Sequence, residues 1–177
     1  KTLCKSIVLR ADAENIDLGN LVRQANKEIS RDNPEMLFVT AFIGVLDLRN
    51  GELTYCNAGH ERPFLIAPNR EPIELQGASG PPISTTDDFE YKTYQYKLAD
   101  DEFLYIFSDG ISEAANISLE LFGHQRLVSL LTEVSPLADA ESLVEQTRDS
   151  VHSFAKGREP VDDLTILIVR WMGEGNE

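Results

Sequence analysis

A chain of 177 residues, 42% of them hydrophobic, is long enough to close one hydrophobic core and short for two. Its 30 acidic against 16 basic residues give a formal net charge of −14, a surface that repels phosphate backbones and anionic lipid and so argues against nucleic acid or membrane as partners. No apolar run has the length that a membrane-spanning helix needs.

The chain opens on KTLCKSIVLR, where Leu3, Cys4, Ile7 and Val8 read as the tail of a helix. With no initiator Met ahead of it, the chain is expected to be a segment of something longer. Leu18, Leu21, Val22, Ala25 and Ile29 then recur at helical spacing, and RDNP closes that helix because a proline disfavours helical geometry in the residue before it. MLFVTAFIGVLDL is rich in β-branched and aromatic residues, and the Asn50-Gly51 pair favours a tight hairpin turn into ELTYCNA. RPFLIAP and EPIEL make a second hairpin around Asn69 and Arg70, and GASGPPIS is a loop by composition, without the spacing of a phosphate-cradling P-loop. FEYKTYQYKL alternates as a strand, and DEFLYIFSDG is a strand whose continuous apolar run implies burial on both faces. Helices are expected around GHQRLVSLLTEV and over 137–155, where Leu143, Val144, Thr147 and Val151 form a stripe. EPVDDLTILIVRW is a closing strand opened by two adjacent aspartates. The order, helices then antiparallel strands, two helices and a last strand, predicts one α+β layered domain over residues 1–177. Cys4 and Cys56 lack the neighbours of a zinc or redox motif and read as thiols of the cytoplasm.

Asp109 stands where one buried strand runs out, and Asp162 and Asp163 where another begins. If the two strands are antiparallel neighbours, about 4.8 Å apart, these carboxylates converge. Such a cluster is tolerable on the surface or around a hard cation, and oxygen donors without His or Cys suit Mg²⁺ or Mn²⁺ rather than zinc. Aspartates at strand ends are equally ordinary turn formers that hydrogen-bond their own backbone. Pattern alone leaves both readings open.

Three segments, in order, resemble the PPM-type serine/threonine phosphatase domain of the SpoIIE/RsbU kind. FVTAFIGVLDLRNGELTYCNAGHERPFLI is similar to a strand pair ending in the Asn-Ala-Gly-His-x-x-Pro motif. LADDEFLYIFSDGISEAANISLELFGHQRL resembles the family's strand, Asp-Gly turn, Glu-Ala and Phe-Gly segment, and DDLTILIVR its closing strand. The matches run from Phe38 to Arg170. The resemblance implies a layered α-β-β-α fold with antiparallel sheets and hydrolysis of phosphoserine or phosphothreonine on a protein by attack of a metal-bound water. Two divalent cations, Mn²⁺ or Mg²⁺, are implied, with no covalent enzyme intermediate. By this resemblance Asp109 and Asp162 are metal ligands, Asp163 and Gly110 support them from behind, and no side chain is assigned a catalytic role of its own. A small phosphoserine regulator, such as an anti-sigma-factor antagonist, is implied as substrate in bacterial signalling, with a sensor or receiver domain upstream.

The family's earlier Gly-Asp-x-x-Asp and Asp-x-Ser-Gly-x-Gly segments do not occur here, and Asp12, Asp17 and Asp32 stand in neither motif. The domain is therefore expected to be N-terminally truncated, with an incomplete two-cation site, and weakly active or inactive as a fragment. Exposed apolar sheet surface would then favour a homodimer. The alternative is a non-catalytic phosphatase-like module that binds a regulatory protein without cleaving it. His60, His124 and His152 are read as structural or surface residues, and Ser108 lacks the surroundings of a nucleophile.

Overall fold

The computed structural model describes residues 17–31, 33–67, 70–133, 139–158 and 162–173. The expected helix over the first ten residues, Cys4, Asp12, Asp32 and Asn69 lie outside them. In chain order the elements are α1 (Leu18–Arg31), β1 (Ala41–Asp47), β2 (Glu52–Ala58), β3 (Phe64–Ile66), β4 (Ile73–Glu74), β5 (Tyr94–Lys97), β6 (Phe103–Phe107), α2 (Asp109–Ser112), α3 (Gly123–Thr132), α4 (Ala140–Ala155) and β7 (Ile166–Arg170). The class is α+β, with antiparallel sheets, and the elements fall into two compact units.

The first unit takes residues 1–60 and 76–97. Its sheet has the order β1-β2-β5. The apolar stripe read along α1 is its buried face up to Ala25, with Leu18, Leu21 and Val22 packed with Cys56, Ala58, Ile83 and Tyr91, whereas Ile29 at its far end is exposed. Asp17 starts the helix by accepting from the Asn20 N–H at 3.0 Å, an N-cap role. The polar face of α1 is tied down as well. The buried Asn26 side chain donates to the Thr86 and Asp87 carbonyls and accepts from the Ser84 N–H, while Arg23 and Lys27 hold the Asp88 carboxyl down at about 2.

Two details of this unit differ from the sequence expectations. The β1–β2 register closes on Asp47 and Glu52, so the hairpin loop has four residues rather than a tight Asn-Gly pair. Asp47 sets that size: its carboxylate accepts from the Arg49 N–H and guanidinium, and its carbonyl accepts from the N–H of Gly51, which sits at φ 74°. The alternating run 89–98 is a strand only from Tyr94 to Lys97. The residues ahead of it are engaged elsewhere, Lys92 N–H with the Ser79 carbonyl and the Thr93 hydroxyl with the Gly19 N–H.

The second unit takes residues 61–75 and 98–177. Its sheet has the order β4-β3-β6-β7, with β6 antiparallel to both neighbours. As the apolar run implies, β6 is buried along almost its whole length. Phe103, Tyr105 and Phe107 enter one hydrophobic cluster with Phe64, Ile111, Phe122, Leu127, Leu131, Leu143 and Val151. Thr147 on α4 accepts from the Tyr105 hydroxyl at 3.3 Å and donates to the Leu143 carbonyl at 2.8 Å, so a polar residue of the predicted stripe is fully satisfied in the core. Burial pushes the Tyr105 phenol up to about 12. β7 begins at Ile166, three residues later than Asp163, so the two aspartates precede the strand rather than open it. Among the described residues no helix is long and apolar enough to cross a membrane.

Candidate metal centre

Register places the site. Antiparallel pairing sets Phe107, the last residue of β6, opposite Ile166, the first of β7. The next step continues the ladder outside the strands, with the Ser108 N–H donating to the Thr165 carbonyl at 3.0 Å. The backbones of Asp109 and of the Asp162-Asp163 pair are thereby brought to the same end of the sheet.

The chain does not turn away through a left-handed glycine there. It enters the short helix α2 at Asp109, with the Asp109 carbonyl accepting from the Glu113 N–H at 2.8 Å and from the Ser112 hydroxyl at 3.2 Å. Gly110 serves a different need, close approach. A Cβ at this position would lie 2.5 Å from the Asp163 carbonyl oxygen and 3.1 Å from its carbon. Backbone rather than a flexible side chain is what it would strike, so Gly110→Ala is expected to cost about 1–3 kcal/mol, the size of an overpacked site. Urea unfolding of the variant measures it, and wild-type stability would show that the two segments are not in contact.

The Asp163 backbone is the hub of the arrangement. Its N–H donates to Asp162 Oδ1 at 2.7 Å, fixing that carboxylate against its own backbone. Its carbonyl accepts from the Ser108 hydroxyl at 3.1 Å, and the same hydroxyl accepts from the Thr165 N–H at 3.1 Å. Asp163 and Gly110 meet here through backbone: one contributes its N–H and carbonyl, the other the absence of a side chain. Ser108 and Thr165 were not among the residues that the sequence singled out for this site. The signal for Ser108 is only its place in Ser-Asp-Gly at a strand end, which does not reveal a hydroxyl turned toward a neighbouring strand.

Asp109, Asp162 and Asp163 are all exposed, and none has an ion-pair partner among the described residues. Their oxygens fit a hard divalent cation in kind. In number they fall short: among the described residues no group of three or more His, Cys, Asp or Glu side chains is gathered as a ligand set. Mg²⁺ sheds water reluctantly, so two carboxylates from one side do not by themselves make a complete site.

The other residues weighed from the sequence lie elsewhere. Asn57 clasps the loop at His60, accepting from its N–H at 2.8 Å and donating to its carbonyl at 3.0 Å. His124, read as a structural or surface residue, lies 3.4 Å from Glu61 Oε2 and against the Phe64 and Phe107 rings. His152 is exposed on α4. In GASGPPIS the Ser79 and Gly80 N–H groups are spent on the Asn57 carbonyl, so they form no anion cradle.

The family model described as "Stage II sporulation protein E (SpoIIE)" matches residues 2–172. The protein IcfG of Synechocystis sp. is 30% identical over 152 residues, covering 85% of this chain and 23% of that protein. The phosphoserine phosphatase RsbU of Bacillus subtilis is 24% identical over 174 residues, covering 95% of this chain and 50% of that protein. The chain therefore spans half the length or less of these relatives. A manganese-presoaked structure of the phosphatase domain of the B. subtilis cell fate determinant SpoIIE superposes with a TM-score of 0.69 at 18% identity, covering all of this chain and 74% of that one. At that identity the likeness shows the fold, that of a PP2C-type phosphatase domain.

Proposed function

The chain belongs to the SpoIIE family, and from that membership we propose that the protein containing it is a Mn²⁺- or Mg²⁺-dependent protein-serine/threonine phosphatase, residues 1–177 forming one partial phosphatase domain. The observation that carries the reading is the packing of Gly110, next to Asp109, directly onto the carbonyl of Asp163, the residue whose N–H holds Asp162. Asp109 and Asp162 would hold the cation, with further ligands supplied from outside the described residues. When bound, divalent cations supply Lewis-acid polarisation of the phosphoryl group and acidity to water. This chain's own part is to hold the two carboxylates, with Asp162 Oδ1 engaged by the Asp163 N–H.

A phosphoserine-bearing bacterial regulatory protein in the cytoplasm, such as an anti-sigma-factor antagonist, is the proposed substrate, and a sensor or receiver domain the proposed source of control. The name of RsbU, a phosphoserine phosphatase, supports the chemistry, and the manganese-presoaked SpoIIE domain supports the metal. Met36, Leu37, Phe38 and Val39, each at least half exposed ahead of β1, support self-association of this segment. The full natural protein, given a phosphoserine protein and Mn²⁺, is expected to release phosphate, to stop on chelation and to resume when Mn²⁺ is restored. Retained binding of the phosphoprotein without release under either cation would overturn this reading. It would favour the second, a non-catalytic binding module, which the incomplete ligand set among the described residues supports.

A further inference from the structure

Ser108 occupies the N-cap position of α2, with φ −89° and ψ 161°, yet makes no side-chain cap bond. A serine there ordinarily turns its hydroxyl back to a free N–H of its own helix. Here the hydroxyl is diverted across the sheet, donating to the Asp163 carbonyl and accepting from the Thr165 N–H, both at 3.1 Å. Asp109 follows Ser108 directly on one side of this bridge, and Asp163 on the other is the residue whose N–H holds Asp162 Oδ1 at 2.7 Å. The bridge therefore joins the backbones that carry both carboxylates, through atoms that neither carboxylate uses.

We propose that Ser108 is a positioning residue, whose hydroxyl sets the offset between Asp109 and Asp162 and so tunes the affinity of the site for a divalent cation. This rests on the proposed function both for the cation at Asp109 and Asp162 and for the reaction. A serine that served only the fold would affect stability and leave the cation affinity unchanged. A group that orients metal ligands shows itself in affinity, where loss of such a partner costs about 10- to 100-fold.

The test uses the full natural protein, with Mn²⁺ binding read from the electron paramagnetic resonance signal of the free ion and phosphate release measured beside it. Ser108→Ala is expected to weaken Mn²⁺ binding by about 10-fold or more, with turnover recovering toward wild type as Mn²⁺ is raised. Ser108→Thr, which keeps the hydroxyl, is expected to restore the affinity. Wild-type Mn²⁺ affinity in Ser108→Ala overturns the proposal. Should Ser108→Ala not fold, Ser108→Cys decides, since a thiol is the weaker donor and acceptor, and unchanged affinity there overturns the proposal equally. Wild-type protein that binds Mn²⁺ but releases no phosphate, beside weakened binding in Ser108→Ala, leaves the role of Ser108 standing and removes the phosphatase reading. Normal turnover in wild type, beside full Mn²⁺ affinity in Ser108→Ala, does the reverse. A wild-type protein that binds no Mn²⁺ removes both.

Discussion

Asp109→Asn and Asp162→Asn, each made in the full natural protein, are expected to lower Mn²⁺-dependent phosphate release by at least about 10²-fold, the loss that follows removal of one preorganised stabiliser of transition-state charge. The substitution keeps size and removes charge. The local contacts survive it: the Asp109 bonds to Ser112 and Glu113 use its carbonyl, and an amide oxygen at position 162 still accepts from the Asp163 N–H. Both side chains are exposed, so unfolding midpoints should stay near wild type. Asp149→Asn, on the exposed face of α4, serves as the control with unchanged rate. Wild-type turnover in either site variant would sink the metal assignment of that residue.

Phe107→Ala is expected to destabilise the protein by about 3–5 kcal/mol, read from urea unfolding. The ring is 1% exposed and lies 5.8 Å from the rings of both Phe64 and Tyr105 and 5.9 Å from that of His124. Its removal takes a large apolar surface out of a cluster built on the sheet, α2, α3 and α4, and little of the gap can be filled by neighbours that are themselves packed. A loss under about 0.5 kcal/mol, the size typical of surface changes, would show that this end of β6 is not core.

Where side-chain chemistry and burial coincide, the sequence was readable. The unbroken run FLYIF could only be a strand covered on both sides, and the stripe Leu143, Thr147, Val151 could only face inward from a helix. Asp109 and Asp162 were visible as carboxylates at the borders of apolar strands, and antiparallel pairing did the rest. What escaped depends on partners distant in sequence. The alternation of 89–98 is intact, but the Ser79 carbonyl takes the Lys92 N–H that a longer strand would need. Asn50-Gly51 has the composition of a two-residue turn, but the Asp47 carboxylate holds the loop open by bonding Arg49. Gly110 looked like a turn residue because glycine suits turns; its cause is the backbone of Asp163, distant in the chain, whose carbonyl is also the partner of the Ser108 hydroxyl, 55 residues away.

The five-step pairing of β6 with β7, Phe103 with Arg170 through Phe107 with Ile166, also works as a ruler. A slip of one residue would carry Asp162 about 3.3 Å along the strand and turn every β7 side chain to the wrong face. The accuracy of the ruler is thus guaranteed by apolar packing several residues distant from any carboxylate. Substitutions inside the sheet should then blur the spacing of the aspartates before they unfold the protein, and tolerance to mutation along β6 and β7 becomes a measure of how finely that spacing has to be kept.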